Sequence, residues 1–310
     1  MVKSINYLKN HKLINNTHTY NPLFSIIIPT YNRAGLIVKT IKSAINQDFK
    51  SFEVIVIDDG STDNTKELIG ELNYSNLQYF CIENSERGAA RNFGATKAKG
   101  KFLYFLDSDD LLYPNHLEEA AKFVERKNID VFFQQYEYVN RKSKRPNYKP
   151  SKSILNNELI MVGNFMSCHG IFIKKDFFTE NKFIENRRLT GSEDYELWLR
   201  YCGLTNFYFN DVVTSALVQH EERSVLNFSE VDLISRKEFF IDTIISNKKF
   251  CKKYSSSIDL IKSNAFTYIS LHLALIKSRK KSIKFLLKGI KLKPTFIFNK
   301  RFYAILKNLL

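Results

Sequence analysis

Cysteine is scarce in this 310-residue chain. Its four residues, Cys81, Cys168, Cys202 and Cys251, are scattered, with no C-x-x-C pair. That spacing argues against a zinc ribbon, and a chain of this length needs no disulfide framework, so a reducing compartment is the simpler expectation. Long apolar runs are missing as well. No stretch approaches the roughly 20 apolar residues of a membrane span, and the opening segment, MVKSINYLKNHKLINN, lacks the continuous apolar core of a signal peptide. A cytoplasmic protein is expected, with peripheral contact at the inner face of the membrane left open. Two glycine-rich phosphate cradles are absent. The first apolar run leads into PTYNRAG rather than G-x-G-x-x-G, and no G-x-x-x-x-G-K-[ST] occurs. A bound nucleotide would have to be held by side chains and a metal ion. Acids are in deficit, with 32 Asp and Glu against 47 Lys and Arg, a formal net charge of +15. Such an excess suits polyanions, anionic membranes or phosphorylated substrates without choosing among them. No recognised RNA or DNA module accompanies it, so nucleic acid is not an expected partner.

What is present is a core. The chain is 44% hydrophobic and 14% aromatic, enough for one large domain with or without an appendage. From Phe24 to Val139 the pattern alternates between strand and helix. FSIIIPTYNR is an apolar run stopped by Pro29. Leu36, Ile37, Thr40, Ile41, Ala44 and Ile45 then recur at helical spacing, with Asn32 a candidate N-cap. FEVIVID, LQYFCIEN, KFLYFLD and DVFFQQYEYV read as the next four strands. Helices are expected near Thr65–Leu72, in ERGAARNFGATKAKG, and in PNHLEEAAKFVERKN, where Pro stands at the start. Strands apolar on both faces and separated by helices predict a mostly parallel sheet covered on both sides, an α/β fold. The basic segment Asn140–Ser153 breaks the pattern. Strands GIFIKK, NFYFND and VVTSALVQH and a helix over EDYELWLRYC follow, and the chain is helical and basic from about Val225.

In open α/β sheets, ligands bind at the carboxyl ends of the strands. Two strands deliver acids to that edge: Asp58 and Asp59 after VIVI, and Asp107, Asp109 and Asp110 after FLYFL. In an extended chain Asp107 and Asp109 face the same way and Ser108 turns away. Carboxylates so close repel unless a cation or proton lies between them. Hard oxygen ligands suit magnesium or manganese, which often complete their shell with water and substrate phosphates. On spacing alone, a turn or a helix cap built from Asp109 or Asp110 stays open. Arg87 and Arg91, four apart on one helical face, offer cations for a diphosphate or partners for nearby Glu.

SIIIPTYNR, EVIVIDDGSTDNT, GAARNFGATKAKGKFLYFLDSDD and SEDYELWLR occur in this order. From about Phe24 to His220 the chain thereby resembles the family 2 glycosyltransferases of the GT-A fold, of the bacterial surface-glycan type. The resemblance implies an inverting transfer of one sugar from a nucleotide-diphosphate sugar, with a UDP-sugar the expected donor, to a hydroxyl of a glycan or lipid-linked acceptor, with Mn²⁺ or Mg²⁺. It implies that Pro29, Thr30, Tyr31 and Arg33 line the nucleoside pocket and that Asp59 accepts from the base edge. Arg91 lies near the nucleotide, and Asp107 with its neighbour Ser108 on the ribose and sugar side. Asp109 is the main metal ligand, His220 approaches the metal, Asp194 matches the catalytic base, and Glu193 touches the acceptor or stabilises its own helix. Trp198 and Leu199 belong to the core rather than a sugar platform. Processive members carry Q-x-x-R-W and membrane spans; this chain has one Trp, preceded by DYEL, which favours single-sugar transfer. Competing readings are an inactive nucleotide-sugar or glycan-binding protein and a sugar nucleotidyltransferase. The latter usually opens with a Gly-rich basic loop that is absent here.

The expected organisation is an N-terminal extension over 1–22, a catalytic domain over 23–224 and a helical basic region over 225–310. In that last region Ile283, Leu286, Leu287 and Ile290 fall on one helical face, and Lys281, Lys284, Lys288 and Lys291 on an adjacent one. This is the pattern of an interfacial helix on an anionic membrane, or of a surface helix packed on the domain.

Overall fold

The structure is a computed structural model that describes residues 21–125, 128–140, 143–146, 154–155, 160–161, 163–220 and 229–310. Most of the expected N-terminal extension, part of the basic break and the boundary near 225 lie outside the described residues. The first half winds as β1 (Phe24–Thr30), α1 (Ala34–Ile45), β2 (Phe52–Asp58), α2 (Thr65–Gly70), β3 (Leu77–Cys81), α3 (Arg87–Lys97), β4 (Phe102–Phe105), the short β5 (Leu111–Leu112) and α4 (His116–Val124). There follow β6 (Val131–Gln134), β7 (Glu137–Val139), β8 (Lys144–Pro146), β9 (Ile154–Leu155), β10 (Ile171–Lys174), α5 (Lys175–Glu180), α6 (Glu193–Cys202), β11 (Phe207–Asn210) and β12 (Ser215–Val218). The C-terminal region is α7 (Glu230–Ser246), α8 (Lys248–Lys253), α9 (Ile258–Leu275), α10 (Arg279–Leu292) and α11 (Lys300–Leu309).

The main sheet runs β3-β2-β1-β4-β10-β6-β11-β9. β1 is parallel to β2 and β4, β2 to β3 and β6 to β11. β10 runs antiparallel between β4 and β6. Successive strand residues alternate between two cores, as a period of two requires. Ile27, Ile55, Ile57, Leu103 and Phe105 face the side of α3 and α6. Ile26, Ile28, Val54, Val56 and Tyr104 face that of α1 and α4. Trp198 and Leu199 are fully buried in the first of these, as expected. Pro29 does not stop β1. Pairing with β4 ends at Ile27 and Phe105, so the missing N–H at Pro29 costs no ladder bond on that side.

Three local expectations fail for identifiable reasons. DVFFQQYEYV is two strands. The Gln135 amide donates to the Asn210 carbonyl at 3.0 Å and its carbonyl accepts from the Thr214 amide at 3.2 Å, and beyond it the chain leaves for a second sheet ordered β5-β12-β7-β8. Asn32 is not the cap of α1. Arg33 holds that position, while Asn32, with φ of 50°, accepts through Oδ1 from the Thr62 amide at 2.8 Å. Third, Asp107 to Asp110 is a turn, closed by the Asp110 amide on the Asp107 carbonyl at 3.1 Å, not an extended segment.

In the C-terminal helices, α9 and α10 approach closely through small residues. The Ser270 and Ser282 hydroxyls bond across the interface. A Cβ on Gly289 would stand 2.5 Å from Thr267 Cγ2. The expected apolar face of α10 is divided. Leu286 is buried with Phe285, Ser282 and Gly289, and Ile290 packs beside them, whereas Ile283 and Leu287 are exposed.

Candidate active site

The carboxyl ends of β1, β2 and β4 open on a cleft of about 260 Å³. Pro29, Thr30, Tyr31 and Arg33 line it from the turn between β1 and α1, and Asp59 from the end of β2. Arg91 on α3 and Asp107, Ser108 and Asp109 from the turn after β4 complete one wall. Nine of the ten residues named from sequence for nucleotide and metal, all but His220, thus meet in one place. The loops that carry them fold for local reasons. Gly60, at φ of +80°, turns the chain immediately after Asp59, with its α-carbon side only 3.1 Å (at the position of a Cβ) from the Asn84 amide. Asp59 then accepts from the Ser85 and Glu86 amides at 2.7 and 3.0 Å. Burial pushes its carboxyl up, and those two amides partly oppose the shift. Ser108 does not simply turn away: it lines the cleft, and its carbonyl accepts from the Thr40 hydroxyl at 3.0 Å.

Arg91 ties this cleft to α6. Its guanidinium, 2% exposed, gives Nη2 to Asp107 Oδ1 at 2.8 Å and Nη1 to Glu193 Oε1 at 3.2 Å. Arg87 Nε stands 3.7 Å from the same Glu193 oxygen. Burial raises the Glu193 carboxyl, but Arg87 and Arg91 outweigh it and hold it below the usual range. Glu193 Oε2 accepts from the Gly191 amide at 2.7 Å, so both of its oxygens are engaged. Asp194, the next residue, does not line the cleft. Its Oδ1 accepts from the Tyr195 amide at 2.6 Å and from Asn164 Nδ2 at 3.2 Å. Burial first and the Glu193 charge second push its carboxyl up to about 6.

β12 brings the second sheet to the same edge. The Val218 amide donates to buried Asp110 at 2.9 Å, and two residues on, His220 Nε2 lies 2.9 Å from Asp109 Oδ2. Asp110 is therefore an anchor for the second sheet rather than a helix cap. Among the described residues no group of three or more His, Cys, Asp and Glu gathers as a metal site. A carboxylate and an imidazole at that separation can nevertheless share one octahedral ion whose other positions go to phosphate oxygens and water. The donor set fits manganese or magnesium in that incomplete sense. Asn84 and Glu86 also line the cleft and were not singled out from sequence. Asn84 donates to the Asp59 carbonyl at 3.0 Å, and Glu86, at φ of 76°, faces Arg187 at 3.4 Å. The signal was available in ENSERG at the end of β3, a third strand end on the same edge.

Known proteins agree with this architecture. The TarS enzyme of S. aureus, residues 1–349 in complex with UDP-GlcNAc, superposes with a TM-score of 0.61 over 88% of this chain and 91% of that one, at 19% identity. The mannosyltransferase PcManGT of Pyrobaculum calidifontis, in complex with GDP-Man and Mn²⁺, gives 0.54 over 94% and 86%, at 17% identity. At these identities the likeness establishes a GT-A fold. In sequence, an uncharacterized glycosyltransferase of Rickettsia typhi is 34% identical over 63% of this chain and 64% of its own length. One of Rickettsia bellii is 33% identical over 66% of this chain, which spans only 31% of that protein. A Campylobacter jejuni protein described as GalNAc(5)-diNAcBac-PP-undecaprenol beta-1,3-glucosyltransferase is 28% identical over 83% of this chain and 88% of its own length. The family model described as Glycosyl transferase family 2 matches residues 25–182, about half of the chain and all of the strands that build the cleft wall from β1 to β4. On that match, the chain belongs to glycosyl transferase family 2.

Proposed function

We propose that this protein transfers a single sugar from a nucleotide-diphosphate sugar, of the UDP class, to a hydroxyl of a glycan or lipid-linked acceptor, with inversion at the anomeric carbon. The observation that carries this reading is the Arg91 bridge. One buried guanidinium holds the cleft carboxylate Asp107 and the α6 carboxylate Glu193 together, so the nucleotide edge and the Asp194 helix are built as one unit. Pro29, Thr30, Tyr31, Arg33 and Asp59 take the nucleoside, Arg91, Asp107 and Ser108 the ribose and diphosphate side, and Glu193 the acceptor side. Asp109 and His220 would hold a divalent cation, which supplies charge neutralisation to the departing diphosphate.

Asp194 is the base. A carboxylate that titrates near 6 is ionised at neutral pH yet basic enough to accept a proton from a hydroxyl as it attacks. The acceptor oxygen forms its bond to the anomeric carbon while the bond from that carbon to the β-phosphate oxygen breaks. The proton goes to Asp194 and the nucleoside diphosphate leaves. One displacement inverts the centre, so no second nucleophilic carboxylate is required. The exposed Ile283 and Leu287 of α10, flanked by Lys284 and Lys291, favour work at an anionic membrane surface in surface-glycan assembly. The test is donor turnover: with Mn²⁺ present, UDP release from a panel of UDP-sugars should be accelerated by the protein. Failure to release the nucleoside diphosphate from any sugar nucleotide would leave a binding protein as the better reading.

A further inference from the structure

A second cavity, also of about 260 Å³, lies between the start of α6 and the C-terminal helices. Two cations converge on it from separate helices, Lys237 on α7 and Arg301 on α11. Neither forms an ion pair with a carboxylate among the described residues. Lys237 spends one of its three donors on Ser192 Oγ at 2.6 Å, and Arg301 uses only Nη1, toward the Asn264 carbonyl and Thr267 Oγ1 at 3.2 and 3.3 Å. Among the described residues the remaining donors meet no hydrogen-bond acceptor, and a ligand could take them. Burial presses both groups toward their neutral forms, Lys237 down to about 8. Among the described residues these two half-buried cations have no ion-paired carboxylate, and the Asp194 and Glu193 charges act on Lys237 only from beyond pairing distance; an anion between them would offset the cost of their burial.

The walls say what kind of anion. Tyr195, Tyr268, Phe240 and Ile261 surround the cations with apolar surface. Lys237 Nζ stands 4.6 Å from the centre of the Tyr268 ring. A small hydrated ion gains nothing from such walls; a charged group joined to hydrocarbon does. The cavity touches the reaction centre through Asn164, which lines it and donates to Asp194, and through Ser192, two residues before Asp194. We infer that the cavity bounded by Lys237 and Arg301 is an acceptor subsite for a phosphate group carried on a hydrocarbon chain. It rests on the reading of Asp194 as the acceptor-side base and specifies what the acceptor carries.

The probe is decyl phosphate, titrated calorimetrically into the full chain with saturating UDP and Mn²⁺ so that the nucleotide cleft is filled. Decyl phosphate should bind at least tenfold more tightly than inorganic phosphate, and Lys237→Gln and Arg301→Gln should each weaken it tenfold or more. Lys237→Arg, which keeps the charge, should retain binding and covers the case in which the neutral variants fail to fold. Equal affinity of wild type and both Gln variants overturns the site. Equal affinity for decyl phosphate and inorganic phosphate overturns the hydrocarbon requirement, and with it the lipid-phosphate acceptor. Wild-type protein that binds decyl phosphate through Lys237 yet turns over no sugar nucleotide would sink the transferase reading and leave this site standing. Active protein whose decyl phosphate affinity ignores Lys237 would do the reverse.

Discussion

At the residue scale, the proposed division of work between Asp109 as metal ligand and Asp194 as base requires that their substitutions separate cleanly. Asp109→Ala removes the carboxylate that pairs with His220 and should abolish metal-dependent UDP binding in calorimetry while the far-UV spectrum stays native; unchanged UDP affinity would refute the assignment. Asp194→Asn keeps shape and removes basicity. Turnover should fall about a hundredfold or more, the usual scale of base catalysis, with donor affinity little changed. The pH profile follows from the raised carboxyl, at about 6. Below that value the base is protonated and inactive, so turnover should rise with pH through a limb centred near 6, and Asp194→Asn should lose that limb. A profile flat from pH 5 to 8 in the wild type would exclude Asp194 as the base. If Asp194→Asn instead loses donor binding as fully as Asp109→Ala, Asp194 belongs to the nucleotide side. Asp109 could be picked out because it follows a strongly patterned strand, Asp194 because SEDYELWLR resembles the family's motif at the head of α6. For Asn84 and Glu86 the only signal was the strand end that ENSERG follows, since their place depends on how the β3 loop folds back onto Asp59.

Elements whose identity rests on burial alone were legible, and those set by partners were not. The helix over EDYELWLRYC matches α6 from Glu193 to Cys202, because eight of its residues are buried and fix its phase. DVFFQQYEYV gave one continuous β pattern, yet a change of sheet at Gln135 is invisible to periodicity. α10 shows the same limit: its heptad-like spacing cannot say that α9 and α11 claim Leu286 and Ile290 and leave Ile283 and Leu287 outside. Truncating before α10 would therefore strip a packed cluster, so the membrane test uses Ile283→Glu with Leu287→Glu. That double variant should lose cosedimentation with phosphatidylglycerol vesicles. Wild-type binding should weaken with salt, as the Debye length falls to about 3 Å at 1 M; equal sedimentation of both proteins would mean that the face is ordinary surface. Gly289→Ala tests the inner face. Its new methyl would meet Thr267 Cγ2 at 2.5 Å, an overpacking that should cost about 1–3 kcal/mol in denaturant unfolding.

For the whole molecule, the question is what joins a nucleotide-binding sheet edge to a helix that begins more than 80 residues later in the chain. The family resemblance put Arg91 near the nucleotide and Glu193 at the acceptor or at the start of its own helix; only the fold shows them as one bridge, because a contact spanning α3 and α6 leaves no periodic trace. Arg91 is suited to it by shape. The guanidinium presents Nη1 and Nη2 in a rigid fork, and each meets a different carboxylate. Lysine has the charge but a shorter reach and all its donors on one nitrogen, so Arg91→Lys cannot place donors at both the Nη1 and Nη2 positions and weakens the contact to Asp107 or to Glu193. With Glu193 almost fully buried, that loss should cost on the order of 1–3 kcal/mol of stability. The consequence for chemistry is larger than the consequence for folding. If Glu193 keeps its place through Arg87 and the Gly191 amide, the fold survives while the register between Asp107 and the start of α6 loosens. Arg91→Lys should then bind UDP within a few-fold of wild type, yet turn over at least tenfold more slowly, since small misplacements of base and donor are costly. Unfolding curves and UDP titrations measured beside turnover separate the two effects. Wild-type turnover in an Arg91→Lys protein of wild-type stability would show that the bridge is not what aligns the two sides.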